Sequence, residues 1–213
     1  MNSLTHEKTL EYIKNLNQSM DNLEWENLYQ NALKKNIPVV RKETAQLLYF
    51  LVKIKAPKNI LEIGTGSGYS SLWIHKGMPE GAHFTTLERD NNRYNDALEL
   101  FKDYSEIELI KTDAFSFLKE TLQLFDFIFL DSQKRDYIDF LPIFENKISP
   151  GGLLVADNFL LNGKIIDLPD EDKVKYQGGV GLLNQFNQEI SKHPGFETLF
   201  LSLEDGVVLA RRI

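Results

Sequence analysis

The 213-residue chain contains no cysteine, which excludes a disulfide framework, a thiolate metal site and a cysteine nucleophile. Its four histidines, His6, His75, His83 and His193, are scattered, and this disfavours a zinc centre. Long apolar runs are missing too. Met1 to Lys14 lacks the apolar core of a secretion signal, and no later stretch is long enough to span a bilayer. No Pro/Gly/Ser-rich linker, internal repeat or low-complexity segment divides the chain. Positive charge is in deficit, 24 basic against 31 acidic residues for a net -7, which argues against broad contact with a phosphate backbone. These absences predict a soluble, cytoplasmic protein with no membrane partner, built as one domain over residues 1–213.

What is present is a change of period. Leu4 to Leu16, Leu23 to Leu33 and Lys42 to Ile54 carry apolar residues at helical spacing, interrupted by Ile37-Pro38-Val39-Val40, so residues 1–56 read as N-terminal helices. From residue 57 strands and helices alternate. The strands are Ile60–Ile63, His83–Glu88, Glu108–Lys111, Asp126–Asp131, Leu153–Asp157, Thr198–Leu203 and Val207–Arg211. The helices between them are Tyr69–Lys76, Asn91–Asp103, Ala114–Leu122, Asp136–Asn146 and Leu182–Lys192. Near-continuous apolar strands such as Phe127-Ile128-Phe129-Leu130 suit a parallel sheet covered on both faces. Only Glu204-Asp205-Gly206 separates the last two strands, which is hairpin spacing. The expectation is an α/β domain: a mostly parallel seven-stranded sheet closed by an antiparallel C-terminal hairpin.

The segment Ile60-Leu61-Glu62-Ile63-Gly64-Thr65-Gly66-Ser67-Gly68-Tyr69-Ser70 is a strand, a glycine turn and a helix start. Such turns let a ligand approach the main chain closely. A dinucleotide site has G-x-G-x-x-G, but Tyr69 stands where its last glycine belongs, and the pattern is E-x-G-x-G-x-G. Acidic residues then recur at successive strand tips: Glu62, Glu88, Asp113, Asp131 and Asp157, the last followed by Asn158. Capping of the following helix explains single cases such as Asp113, but not a whole edge of the sheet. Glu88, 24 positions after Gly64, suits a ribose diol, whether of NAD or of S-adenosylmethionine, the alternative being a surface acid paired with Arg89 or Arg93. Asp131, Asp157 and Asn158 form a hard oxygen set suited to Mg²⁺, Mn²⁺ or Ca²⁺. Lys134, three residues after Asp131, is a candidate general base whose pKa a nearby cation would depress. An NAD-linked dehydrogenase and a non-catalytic cofactor-binding module are the competing classes.

Together these residues resemble the metal-dependent O-methyltransferase family that includes catechol and caffeoyl-CoA O-methyltransferases. The resemblance spans about Ile37 to Arg211 and is carried by Leu61 to Ser70, by Leu130-Asp131-Ser132-Gln133-Lys134 and by Asp157-Asn158. It implies a Rossmann-like methyltransferase fold. It also implies that Val40, Glu62, Gly64, Thr65, Gly66, Ser70, Glu88, Asp113, Ala114 and Asp131 bind S-adenosyl-L-methionine. Mg²⁺ would sit on Asp131, Asp157 and Asn158, and Asp131 and Lys134 would serve catalysis. The stretch from Phe159 to Gly181 reads either as a lid or binding loop framing an aromatic acceptor or as a disordered surface excursion, and Phe159 and Tyr176 either stack on a flat ring or simply pack. Ile37 to Val40, His193-Pro194-Gly195-Phe196 and Asp205-Gly206 are also similar to methyltransferases of 5-hydroxyuridine at the tRNA wobble position. The basic run expected of that subgroup is replaced by Asp172-Lys173-Val174-Lys175-Tyr176-Gln177-Gly178-Gly179. A homodimer built through the N-terminal helices is the family's usual assembly.

Overall fold

The computed structural model describes residues 3–17, 22–168 and 173–213. Three helices come first: α1 (Ser3–Leu16), α2 (Leu23–Lys34) and α3 (Lys42–Lys55). The α/β core follows as β1 (Asn59–Ile63), α4 (Tyr69–Gly77), β2 (His83–Glu88), α5 (Asn91–Leu100), β3 (Ile107–Lys111), α6 (Ala114–Glu120), β4 (Phe125–Leu130), α7 (Tyr137–Lys147), β5 (Ile148–Asp157), α8 (Lys173–Ser191), β6 (Phe196–Leu201) and β7 (Val207–Arg212). The strands form one sheet in the order β3-β2-β1-β4-β5-β7-β6, and only β7 runs antiparallel to its neighbours. This is the expected Rossmann-like architecture. Chain order reverses between β1 and β4, so a crevice opens there beyond the strands' carboxyl ends.

Alternation along β4 sends side chains into two cores. Ile128 and Leu130 join Leu61, Ile63, Leu154 and Tyr137 on one face. Phe127 and Phe129 join Ile60, Phe84, Leu48 and Trp73 on the other. All four β4 residues are fully buried, which is why the strand reads as one apolar run. α2 is fastened to this layer by Trp25, whose ring meets Trp73 edge-on at 5.2 Å, while the Lys76 ammonium lies 5.1 Å from the Trp25 centroid. The Thr44 hydroxyl of α3 donates to Glu204 in the β6–β7 turn (3.3 Å), tying the helical layer to the sheet's carboxyl edge.

Two expectations are corrected. Helix α8 begins at Lys173, not Leu182, and takes in Lys173 to Gly181 of the stretch read as a lid. Gly178, Gly179 and Gly181 lie inside this helix, and a glycine inside a helix costs only about 1 kcal/mol. The fully buried Leu183, Phe186 and Ile190 hold the rest of the helix down. Residues 169–172 of that stretch, and the side chain of Tyr176, lie outside what the structure describes. Strand β6 ends at Leu201 instead of Leu203, because Glu204 and Gly206 both turn at positive φ (53° and 85°). Among the described residues no helix is long and apolar enough to cross a membrane.

Candidate active site

A cavity of ≈ 460 Å³ opens at the carboxyl ends of β1 to β5, at the β1/β4 switch point. Val40, Gly64, Thr65, Gly66, Ser70, Glu88, Asp113, Ala114, Asp131, Lys134 and Asn158 all line it. Residues far apart in sequence thus share one wall. Of the expected site residues, only Glu62 and Asp157 lie behind that surface.

The glycine turn makes the floor. Gly64, Gly66 and Gly68 have φ of 105°, 57° and 79°. A Cβ on Gly64 would collide with the backbone carbonyl oxygen of Asp131, so β1 and β4 approach here as closely as two backbones can. The Gly64 and Thr65 amides both donate to Leu87 O (3.1 Å), and the Gly66 amide donates to Glu88 Oε2 (3.0 Å). Asp113 both lines the cavity and caps α6, accepting from the Phe115 and Ser116 amides (3.0 and 3.3 Å).

Glu62 sits beneath the turn, fully buried. Its carboxylate accepts from Ser70 Oγ (2.6 Å), Thr86 Oγ1 (2.6 Å) and Ser71 Oγ. Thr86 has spent its proton on Glu62, so Thr65 donates to Thr86 (2.7 Å). Burial pushes the Glu62 carboxyl up to about 7 against the pull of the three hydroxyls. From there it supports the turn through Ser70 directly and through Thr86 to Thr65.

The opposite wall carries charge. Lys134 Nζ lies 2.6 Å from Asp131 Oδ1 and 2.8 Å from the Tyr137 hydroxyl. That hydroxyl donates in turn towards Leu130 O (2.9 Å) and Asp157 O (3.2 Å). Burial alone would lower the Lys134 pKa, but Asp131, Tyr137 and Asp157 outweigh it and hold the ammonium above its ordinary range. The depression expected from sequence depends on a cation's charge; the protein's own groups act in the other direction. Asp157, 4% exposed, accepts from the Asn158 amide (2.9 Å). Burial first, then Asp131, raises its carboxyl to about 7.

Asn158 stands at the tip of β5 with φ 60°. Next to it, the Leu160 amide donates to the Asp205 carbonyl (3.0 Å) and the Asp205 carboxylate accepts from the Asn162 amide (2.6 Å). The β5–β7 register pairs Asp157 with Val207 and thereby brings the Asp205-Gly206 turn alongside. Among the described residues no three His, Cys, Asp or Glu side chains form a metal cluster, so any cation here would rely on the mixed Asp131, Asp157 and Asn158 set. That set fits one: hard oxygen donors, with two carboxylates whose mutual repulsion a divalent ion would relieve.

Several contributors were not singled out from sequence. Arg93, Phe115 and Gln133 line the cavity, and Tyr137 and Ser71 support it. Tyr137 had a weak signal, three residues after Lys134 at the opening of α7. Phe159, a stacking candidate, instead packs edge-on against Phe200 (5.1 Å) in the core.

This arrangement has close counterparts. The sequence model of the family described as O-methyltransferase matches residues 11–213. The chain is 31% identical over 192 residues to Tapetum-specific methyltransferase 1 of Arabidopsis thaliana, covering 87% of this chain and 81% of that protein. It is 28% identical over 188 residues to Caffeoyl-CoA O-methyltransferase 2 of Petunia hybrida, covering 84% and 78%. Among solved structures, an SAH-bound methyltransferase of Podospora anserina superposes with a TM-score of 0.82 at 26% identity, covering 100% of this chain and 97% of that one. The dehydrogenase alternative falls with these matches, since the family model runs through the glycine turn, the acidic strand tips and the closing hairpin alike. The chain belongs to the O-methyltransferase family.

Proposed function

We propose that this S-adenosylmethionine-dependent O-methyltransferase uses Mg²⁺ and methylates one hydroxyl of a small aromatic acceptor with vicinal oxygens, as in a catechol. One observation carries the reading: the glycine turn and Glu88 share a single cavity with Asp131, Lys134 and Asn158. Cofactor-binding and acceptor-activating chemistry therefore meet in one space. The SAH-bound relative and the caffeoyl-CoA relative support the two halves respectively.

The glycine turn and Glu88 hold the methionine and ribose parts of the cofactor, and Asp113 and Ala114 border the adenine. Asp131, Asp157 and Asn158 would hold Mg²⁺ (or Mn²⁺ or Ca²⁺), which would supply a Lewis acid to the acceptor hydroxyl. Lys134 takes the hydroxyl proton. The acceptor oxygen bonds to the sulfonium methyl carbon, and the carbon–sulfur pair returns to sulfur, leaving S-adenosylhomocysteine. The chain's own work is to position, to accept the proton and to exclude water.

The second acceptor class is tRNA 5-hydroxyuridine, favoured by the Pro38-Val39-Val40 wall and opposed by the net charge of -7. Labelled methyl from S-adenosylmethionine is offered to a cell extract, with Mg²⁺ or EDTA, and the extract is split into RNA and small molecules. Label in the small-molecule fraction that EDTA removes supports the proposal. Metal-dependent label in RNA replaces it with the tRNA reading, and no label in either fraction favours a non-catalytic binding module. Cytoplasmic placement and a homodimer complete the proposal. The exposed apolar side chains of Leu16, Leu23 and Ile54 on the N-terminal helices support the dimer, and sedimentation of the purified chain tests it.

A further inference from the structure

Arg93 is a cavity residue with no role so far. It stands in the first turn of α5, where the N-cap Asp90 accepts from the Asn92 and Arg93 amides (2.9 and 3.0 Å) and so fixes its backbone. From there the side chain turns back across the capping turn. Its Nη2 donates to Glu88 Oε1 at 3.2 Å. A surface ion pair of this kind contributes little. This one differs, because Glu88 is 4% exposed and both partners line the cavity. Arg93 Nε is itself buried and without a partner, although the side chain as a whole is 35% exposed.

The division of labour within the Glu88 carboxylate is the informative part. Oε1 is filled by two donors, the Asp90 amide (2.8 Å) and Arg93 Nη2. Oε2 receives only the Gly66 amide (3.0 Å). An ionised carboxylate offers about four acceptor positions. Three are taken by the protein, and the one left open is on Oε2, the oxygen tied to the glycine turn. Without Arg93, two backbone amides would remain to orient a nearly buried charge.

We infer that Arg93 is a positioning residue for the cofactor's ribose: it occupies Oε1 and so reserves Oε2 of Glu88 for a ribose hydroxyl. The inference rests on the reading of Glu88 as the ribose acceptor. It also makes the recognition lopsided, with one ribose hydroxyl bonded to Glu88 and its neighbour left to other partners.

Isothermal titration with S-adenosylhomocysteine and with its 2′,3′-dideoxy analogue tests this on the full chain. Arg93→Ala is expected to weaken S-adenosylhomocysteine about tenfold, roughly 1.4 kcal/mol, and the dideoxy analogue less than about twofold. Retained analogue binding also shows that the variant is folded. Arg93→Lys should recover part of the loss, since it restores the charge without the planar fork. In turnover, Arg93→Ala should raise KM for S-adenosylmethionine and leave kcat nearly unchanged. Equal losses for both ligands, or no loss in Arg93→Ala while Glu88→Gln weakens S-adenosylhomocysteine, would overturn the positioning role. Undiminished binding in Glu88→Gln would instead remove the ribose reading beneath it, and the inference with it.

Discussion

Lys134 and Asp131 face each other at 2.6 Å, and Tyr137 holds the same ammonium from the far side at 2.8 Å. Two of the three ammonium hydrogens are thereby committed to the protein. One position is left, and Lys134 lines the cavity. In the neutral amine both hydrogens can stay on Asp131 and Tyr137, so the lone pair is what the acceptor meets. Lys134→Gln should therefore lower kcat at least about a hundredfold while the affinity for S-adenosylmethionine changes little. A steady-state comparison that found kcat intact would remove the base assignment.

Asp157 makes no contact with the cavity surface and holds only the Asn158 amide (2.9 Å). Its use is in the oxygen set shared with Asp131 and Asn158. Asp157→Ala should abolish detectable Mn²⁺ binding followed by electron paramagnetic resonance, and metal-dependent turnover with it. Calorimetry should show S-adenosylhomocysteine still bound. Mn²⁺ affinity equal to that of the unaltered protein would sink the metal assignment.

Glu62 carries a pH signature. Burial holds its carboxyl up at about 7 in the folded protein, against the ordinary 4.5 of the unfolded chain. Below 4.5 both states hold the proton and stability is unaffected. Between 4.5 and 7 the folded state keeps a proton that the unfolded chain releases, so stability falls as pH rises. The loss is complete above 7, of order 3 kcal/mol. Asp157 and Glu204 also have raised carboxyls, so the informative quantity is the difference between the protein and Glu62→Gln. Urea unfolding across that range should give a steeper decline in the unaltered protein. Parallel curves would contradict the assignment.

Gly64→Ala places a Cβ against the Asp131 carbonyl oxygen at φ 105°. It should cost at least about 2 kcal/mol and eliminate S-adenosylmethionine binding. Gly81→Ala is the control, because it shares a positive φ of 76° but has nothing within 4 Å. Strain alone should cost it about 1 kcal/mol. Equal melting temperatures for the two variants would refute the close β1–β4 approach.

Much of this was legible in the residues. The seven strands, the closing hairpin and the shared cavity follow from apolar runs ending in Glu88, Asp131 and Asp157 and from the turn at Gly64. What was not legible has physical causes. The start of α8 was hidden because tertiary anchoring by Leu183 and Phe186 overrides three glycines. Sequence does not say which side of the turn the Glu62 side chain takes. Three hydroxyls from Ser70, Ser71 and Thr86 claim it beneath the turn. Arg93 was weighed only as a surface partner of Glu88, because proximity to a carboxylate says nothing about which oxygen it fills. Asp205 was noticed in a turn motif, yet its place beside the chain after Asn158 depends on pairing β5 with β7.

The most direct measurement is a single-turnover reaction of the protein with S-adenosylmethionine and a 3,4-dihydroxycinnamoyl acceptor, read by mass spectrometry with saturating Mg²⁺ and again after EDTA. The account expects one methyl gained per acceptor and one S-adenosylhomocysteine formed with Mg²⁺, and neither after EDTA. Equal transfer in both reactions, or bound cofactor with no transfer to this or any other vicinal-dioxygen acceptor under saturating Mg²⁺, would contradict it.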